Sequence, residues 1–431
     1  MIEPGSIVTL DVEKPAAGGR MLARHHGQVV LVWGAIPGER VTARIERTGK
    51  GLAFAETVDI LSSSPDRRAV AADWRCGGNV LAHVSYPRQL QLKGQIIQDA
   101  FGRIGRVPLP EVPDVVGSPE AGYRMRARLH VQHGRIGFYR EGTHELCDAA
   151  LTSQFLPGTH AWIATAEETL GRHRLTGVSD LELAENVAGD ARACHLALLA
   201  GTDAAPFAAL AEGLVGLSAQ RQDGQTIERL AGTPAITDDL NVGGGERAML
   251  RLRRDVRAFF QGNRYLLERL VRHVIALVPS GPVVDLYAGV GLFGLALAAA
   301  GADGVTLVEG DPVSAGDLEG NAEPFGDRVR VERRSVEAYL AGLQSTRPAS
   351  SETYIVDPPR TGMTKQALAG IQRAQPSRIV YVSCDVATLA RDTRMLLDAG
   401  YGLDRVTGMD LFPNTAHVES VALFTRGSMS G

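Results

Sequence analysis

Three stretches near the C-terminal end hold residues whose types and spacing could do covalent chemistry. Ser383-Cys384-Asp385 follows the apolar run Ile379-Val380-Tyr381-Val382 and precedes a helical pattern that begins near Val386. A lone cysteine is most often a small buried hydrophobe. A thiol at the end of a strand and the head of a helix is instead placed as a nucleophile, because a helix N-terminus stabilises a thiolate. Asp357-Pro358-Pro359-Arg360-Thr361-Gly362 follows the apolar strand Tyr354-Ile355-Val356. Its two prolines stiffen the loop and remove backbone donors, and a rigid acidic loop at a strand's carboxyl end sits where α/β folds bind ligands. Glu419 stands among Val418, Val421 and Leu423, where an inward-facing carboxylate is the functional reading and an exposed edge glutamate the bland one. His417, two residues before it, reads as structural.

A fourth stretch points to a cofactor. Asp285-Leu-Tyr-Ala-Gly289-Val-Gly291-Leu-Phe-Gly294 spans a strand end and a helix start. Glycines there let the backbone turn tightly and approach a ligand. Glu309 ends the next strand, where an acidic side chain can hold a ribose diol. By itself the glycine pattern suits NAD, FAD or S-adenosylmethionine. Asp285 on the strand before the glycines favours S-adenosylmethionine, since dinucleotide sites need room for a pyrophosphate.

These motifs need elements to position them. From about residue 278 the pattern alternates strand and helix: Val283–Tyr287, Val305–Glu309, Tyr354–Asp357 and Ile379–Ser383 are buried-strand runs, with apolar helical segments between. That alternation predicts a doubly wound parallel sheet. Residues 1–62 carry short β-rich runs separated by Gly18-Gly19, His26-Gly27 and Pro37-Gly38, which predicts a small barrel. Between them, Leu90 to Ile104 has helical spacing and Arg124 to Tyr139 reads as a hairpin turning at His133-Gly134. A length of 431 residues exceeds what one core supports and implies two or three domains.

Charge and cysteine content limit the function classes. The net charge of −4 excludes a globally basic nucleic-acid binder. It leaves room for local basic faces, such as the arginines of 124–140 and the excess of five positive charges over 246–274. Four cysteines are too few for a disulfide scaffold and fit a reduced, cytoplasmic setting. The N-terminus lacks a basic region followed by an apolar run, so no signal peptide is expected. The most apolar stretch, Gly291 to Gly301, is too short to span a membrane.

Taken together, the motifs resemble the RNA 5-methyluridine (uracil-5-) methyltransferases. Phe260-Gln261-Gly262-Asn263, the DLYAGVGLFG stretch, Val308-Glu309-Gly310, DPPRTG, SCDVATLARD and FPNTAHVES stand in the family's order over residues 260–425. Pro37-Gly38-Glu39 and the surrounding β runs also resemble a TRAM domain. The resemblance implies an α/β Rossmann-like S-adenosylmethionine-dependent methyltransferase domain over 241–431. It adds an OB-like, RNA-binding TRAM barrel over 1–62 and an RNA-binding α+β central domain over 63–240. It implies Cys384 as the nucleophile that adds to C6 of uracil and Glu419 as the base that removes the C5 proton. Gln261, Tyr287, Gly289, Gly291, Glu309 and Asp357 should line the cofactor site, with Gln261 between cofactor and uracil. The partner is expected to be RNA, 23S rRNA ahead of the T-loop of tRNA because of the TRAM-like module, with the protein acting as a monomer.

The chain also departs from the family. Many members hold a [4Fe–4S] cluster through four cysteines; here Val70 and Asn79 stand where two are expected, leaving Cys76 and Cys147. Two thiolates of four cannot hold a cubane, so no cluster and no metal is expected, and the two cysteines are leftovers close enough to touch. Cys194 reads as core. Asp385-Val386 replaces the family's Asn-Pro, and Asp385 is expected to point away from the thiol and cap the next helix. RNA cytosine-5 methylation is a competing reading, but that group carries a cysteine in the loop corresponding to Asp357-Pro358-Pro359. A nicotinamide-dependent oxidoreductase leaves Cys384 and Glu419 unexplained. A non-catalytic RNA-binding protein leaves Cys384, Glu419 and Gln261 without a use.

Overall fold

A computed structural model describes residues 2–70, 73–243, 248–343 and 350–426. The first five strands, β1 (Ile7–Pro15), β2 (Met21–His25), β3 (Gln28–Trp33), β4 (Arg40–Gly49) and β5 (Leu52–Ser62), close into a barrel in the order β1-β2-β3-β5-β4. Alternation builds it: Val41, Ala43 and Ile45 of β4 face the core, while Arg40 and Arg44 face out. Between β2 and β3 a two-residue turn, His26-Gly27, takes φ of 47° and 82°. Positive φ at both positions matches the strand twist, and the glycine accepts it without a Cβ clash.

After the barrel come α1 (Tyr86–Ala100) and the two-residue strand β6 (Val115–Val116). Next, β7 (Arg126–Gln132), β8 (Arg135–Tyr139), β9 (Leu146–Asp148), β10 (Val178–Glu185), β11 (Arg192–Leu198), β12 (Gly216–Arg221) and β13 (Ile227–Gly232) form one sheet. Its order is β13-β12-β11-β10-β7-β8-β9. Helix α2 (Pro157–Arg172) buries Trp162, Ile163 and Leu170 against Leu129, Ile136 and Leu196 of that sheet. The β7–β8 hairpin turns at His133-Gly134, as its sequence predicts. A separate pair, β14 (Ala235–Asn241) and β15 (Met249–Asp255), follows.

The C-terminal part contains β16 (Val283–Leu286), β17 (Val305–Glu309), β18 (Val329–Arg333), β19 (Ser350–Val356), β20 (Pro376–Ser383), β21 (Tyr401–Met409) and β22 (Glu419–Arg426). With β6 they make an eight-stranded sheet in the order β18-β17-β16-β19-β20-β22-β21-β6. Strands β18, β17, β16, β19 and β20 run parallel, and β22 is antiparallel to β20. One face is covered by α3 (Leu267–Ala276), α4 (Leu292–Ala299) and α5 (Pro312–Ala322). The other is covered by α6 (Val336–Ala341), α7 (Lys365–Ala374), α8 (Val386–Asp398) and also α1, through Ile97 and Ala100. The span 63–240, read as one central domain, therefore contributes α1 and β6 to the C-terminal sheet. Apolar spacing identifies a helix, but the surface it covers is a long-range choice.

Two readings of charge and redox change here. Most of the arginines expected to form basic faces are paired internally: Arg126 with Glu182, Arg128 with Asp180, Arg135 with Glu167, Arg254 with Asp238, Arg257 with Asp255 and Arg264 with Glu185. Glu246 and Arg247 lie outside the described residues. Arg124 has no carboxylate partner among the described residues; it donates to Gln154 Oε1 (2.6 Å) and to the Arg126 carbonyl (3.0 Å).

Cys76 and Cys147 form a disulfide, with Cα atoms 5.7 Å apart. Cys76 bridges to Arg140, just after β8, while Cys147 of β9 pairs with Phe138, so the sheet register brings them together. The residues present do not fit an iron–sulfur cubane: Val70 and Asn79 offer no thiol, and the sulfurs of Cys76 and Cys147 are bonded to each other. Alkylation of unfolded, unreduced protein is expected to label Cys194 and Cys384 alone. Labelling of all four cysteines would remove the disulfide. Among the described residues, no helix is long and apolar enough to cross a membrane.

Candidate active site

Sheet topology lines up the chemistry-bearing residues along one edge. The parallel strands end in sequence at Glu309 (β17), Leu286 (β16), Val356 (β19) and Ser383 (β20). Antiparallel β22 begins where β20 ends, with Ser420 paired to Ser383. Glu419 therefore starts its strand beside Cys384. The row along the edge reads Glu309, the glycine loop, Asp357, Cys384, Glu419. Ligands in such sheets bind at the carboxyl ends of the strands, where the strand order reverses, and here that point lies between β16 and β19.

The cofactor half begins with Asp285, which is fully buried and accepts from the Gly294 backbone N–H through Oδ2 at 2.8 Å. Its Oδ1 has no partner among the described residues. Tyr287 takes φ +61°, unusual for an aromatic residue, as the chain leaves β16. Gly291, at φ +101°, caps α4; a Cβ there would sit 2.4 Å from Leu295, so only glycine fits. Glu309 accepts from the Gly289 N–H (2.7 Å) and the Asp311 N–H (2.6 Å), tying the glycine loop to the neighbouring strand end. Burial holds its carboxyl above the usual range despite these bonds. The Glu309 carboxylate, braced by the Gly289 N–H, can accept from the hydroxyls of a ribose. Burial also pushes the Asp285 carboxyl up to about 8.

That shift has a measurable sign. Between its unfolded value near 4 and about 8, folded Asp285 keeps a proton that the unfolded chain has lost. Its contribution to stability therefore falls as pH rises through that window, by at most about 1.4 kcal/mol per pH unit. The Asp285→Asn variant keeps an oxygen for Gly294 and should lose less stability between pH 5 and 8 than the wild type in thermal unfolding without cofactor. Identical slopes would place the proton elsewhere.

The reacting half holds Cys384, Asp357, Arg360, Gln261 and Glu419. Gln261 lies between β15 and α3, is 4 % exposed, and donates from Nε2 to Asp357 Oδ2 at 3.1 Å. Burial pushes Asp357 up to about 7. Glu419 is 1 % exposed, and its Oε1 has no hydrogen-bond partner among the described residues. Its carboxyl is held well above the ordinary range, by burial first and then by Asp357. The positive charge of Arg360 draws both the Cys384 thiol and Glu419 toward their ionised forms. Burial and Glu419 outweigh it at the thiol, which is pushed up to about 12. In the free protein, desolvation and the adjacent carboxyls outweigh the stabilisation that a helix N-terminus gives a thiolate. Asp385 accepts from the Thr388 N–H at 2.8 Å and caps α8, as its position predicts.

Sequence reading quoted Arg360 within its motif but gave it no role; its proximity to Cys384 arises from the β19–β20 pairing. It also missed what holds the loop before Glu419. Lys93 of α1 forms a fully buried pair with Asp410 and donates to the Phe412 carbonyl at 2.9 Å. Asn414, at φ +64°, accepts from Gln89 Nε2 and from Arg68, each at 2.9 Å. These partners are more than 300 residues apart in the chain, and no local pattern announces them.

A doubly wound sheet, a glycine loop tied to an acidic strand end and a second acidic loop beside a thiol define an S-adenosylmethionine-dependent methyltransferase. Comparison with known proteins is more specific. Residues 318–427 match the family model described as tRNA (Uracil-5-)-methyltransferase, and residues 3–58 match the TRAM domain. The 23S rRNA (uracil(1939)-C(5))-methyltransferase of Pseudomonas putida is 31 % identical over 97 % of this chain and 93 % of that protein. Its counterpart in Chromohalobacter salexigens is 33 % identical over 98 % and 90 %. The crystal structure of Pyrococcus abyssi tRNA (uracil-54, C5)-methyltransferase with S-adenosyl-L-homocysteine superposes with a TM-score of 0.77 at 25 % identity, covering 96 % of this chain and 99 % of that one. The chain belongs to the RNA uracil-5-methyltransferase family.

Proposed function

We propose that this enzyme methylates C5 of one uridine in 23S rRNA through a covalent adduct between Cys384 and C6 of the base. The observation that carries this reading is the adjacency of Cys384, just past the end of β20, and Glu419, at the start of antiparallel β22, with Asp357 between them and the glycine loop. S-adenosylmethionine supplies an electrophilic methyl group. Uracil C5 is a poor nucleophile until the sulfur of Cys384 bonds to C6 and pushes electron density toward C5 and O4. Arg360 favours the thiolate needed for that attack. After C5 has taken the methyl group, Glu419 removes the C5 proton, the C6–S bond breaks and Cys384 leaves with the electron pair. Asp357 and Gln261 hold the border between cofactor and base, Glu309 braced by the Gly289 N–H holds the ribose, and Tyr287 and Gly291 shape the loop. The base reaches Cys384 after leaving its stack.

The rRNA assignment rests on full-length similarity to enzymes named for 23S rRNA and on the chain's TRAM domain. The structural similarity to a tRNA enzyme favours tRNA as the second reading. Labelled S-adenosylmethionine should be incubated with protein and RNA from cells lacking it, followed by nucleoside mass spectrometry of separated rRNA and tRNA. New 5-methyluridine is expected in 23S rRNA. Appearance in tRNA alone selects the second reading, and 5-methylcytidine or no product rejects both.

A further inference from the structure

A second cleft, of about 590 Å³, opens between the barrel and the central sheet. We propose that it binds an unstacked, amino-bearing nucleobase of the substrate RNA, away from the uridine that is methylated. The inference rests on the reading that the substrate is RNA. Trp33, at the end of β3, and Trp74, in the segment leading to Cys76, form one wall, with ring centroids 6.4 Å apart. Guanidinium groups lie over aromatic rings around it: Arg20 is 4.7 Å from Trp33, Arg75 is 5.6 Å from Trp74, and Arg47 is 3.5 Å from Phe54. Flat aromatic and guanidinium surfaces are what a splayed base stacks on.

Charge distinguishes the base from its phosphate as the occupant. Arg20 pairs with Glu46 at 2.8 Å, Arg75 with Glu56, and Arg140 with Asp73 (2.9 Å) and Glu145 (3.1 Å). Glu46, Glu141 and Glu145 line the same cleft, so it is close to neutral and offers a bare phosphate little attraction. Carboxylate edges accept hydrogen bonds from exocyclic amino groups, which adenine, guanine and cytosine carry and uracil lacks. The opposite wall is the turn after β8, which the Cys76–Cys147 disulfide and the Cys76–Arg140 bridge fasten to the Trp74 segment. The cleft is therefore built from two domains and held at a set width.

The test uses full-length protein and two measurements. In the first, tryptophan fluorescence is titrated with hexanucleotides of adenosine, cytidine or uridine. The adenosine and cytidine strands should quench it with an affinity roughly tenfold above that of uridine, and Trp74→Ala should abolish the difference. In the second, Trp74→Ala should raise KM for undermethylated RNA about tenfold with a much smaller change in kcat, and Trp74→Phe should restore it. Exposed Arg47→Ala should act in the same direction without a change in Tm. Equal quenching by all three strands, or an unchanged KM in both Trp74→Ala and Arg47→Ala, overturns the proposal. Absence of 5-methyluridine in the wild type refutes the parent reading instead, while the fluorescence titration still decides whether the cleft takes a base.

Discussion

Replacing Cys384 by alanine is expected to lower 5-methyluridine formation by at least about 10⁴-fold, because the attacking bond is lost and no neighbouring group can substitute for it. RNA carrying 5-fluorouridine at the target should trap the wild-type protein covalently, since fluorine at C5 cannot leave as a proton, and should not trap Cys384→Ala. An adduct that persists in the variant would assign the nucleophile elsewhere. The thiol's surroundings add a pH signature. Burial and Glu419 push the Cys384 thiol up to about 12, so free protein near neutral pH holds the thiol form. Trapping should accelerate steadily as pH rises above 7. Arg360→Lys should slow it, because an ammonium replaces the planar guanidinium with a point charge on a shorter reach.

Glu419→Gln is expected to show a different failure. Addition of Cys384 and methyl transfer precede the step Glu419 serves, so the adduct should form on ordinary uridine and persist. Turnover should drop by about 10²–10⁴-fold, the usual contribution of a positioned base. Denaturing electrophoresis would reveal a slow-moving protein–RNA band with unmodified RNA, absent from the wild type. A variant that neither turns over nor accumulates adduct would move Glu419 to an earlier step. The coupled carboxyls set a second signature. Asp357 and Glu419 are both raised, and carboxyls this close do not both ionise readily. Product release in the wild type should therefore speed up as pH rises, because Glu419 must lose its proton to act as the base and burial and Asp357 both hold that proton on.

Much of the site is legible in local sequence because its chemistry occupies strand ends. Each short motif follows a run of β-branched and apolar residues, and in a parallel sheet those ends share one edge. Asp357, Cys384 and the glycine loop are found that way without any contact being known. Glu419 is legible as a carboxylate in an apolar run. Its place beside Cys384 depends on β22 being antiparallel to the other strands, which its composition does not reveal. Lys93, Asp410, Gln89 and Asn414 carry no motif, since a buried polar network is recognised only when its members are brought together.

The arginine-rich stretches show the same limit. Residue type alone marks 124–140 and 246–274 as basic, yet acids, many of them remote in the chain, pair with most of those side chains. Residue order by itself pointed to the domain classes, the cofactor loop and the candidate nucleophile and base, because these depend on local backbone geometry and residue chemistry. Tertiary structure alone decided the ionisation of Cys384, the Asp357–Glu419 coupling, the Cys76–Cys147 bond and the two-domain cleft. Each of those is set by desolvation or by distance between groups remote in the chain, and neither quantity exists until the chain has folded.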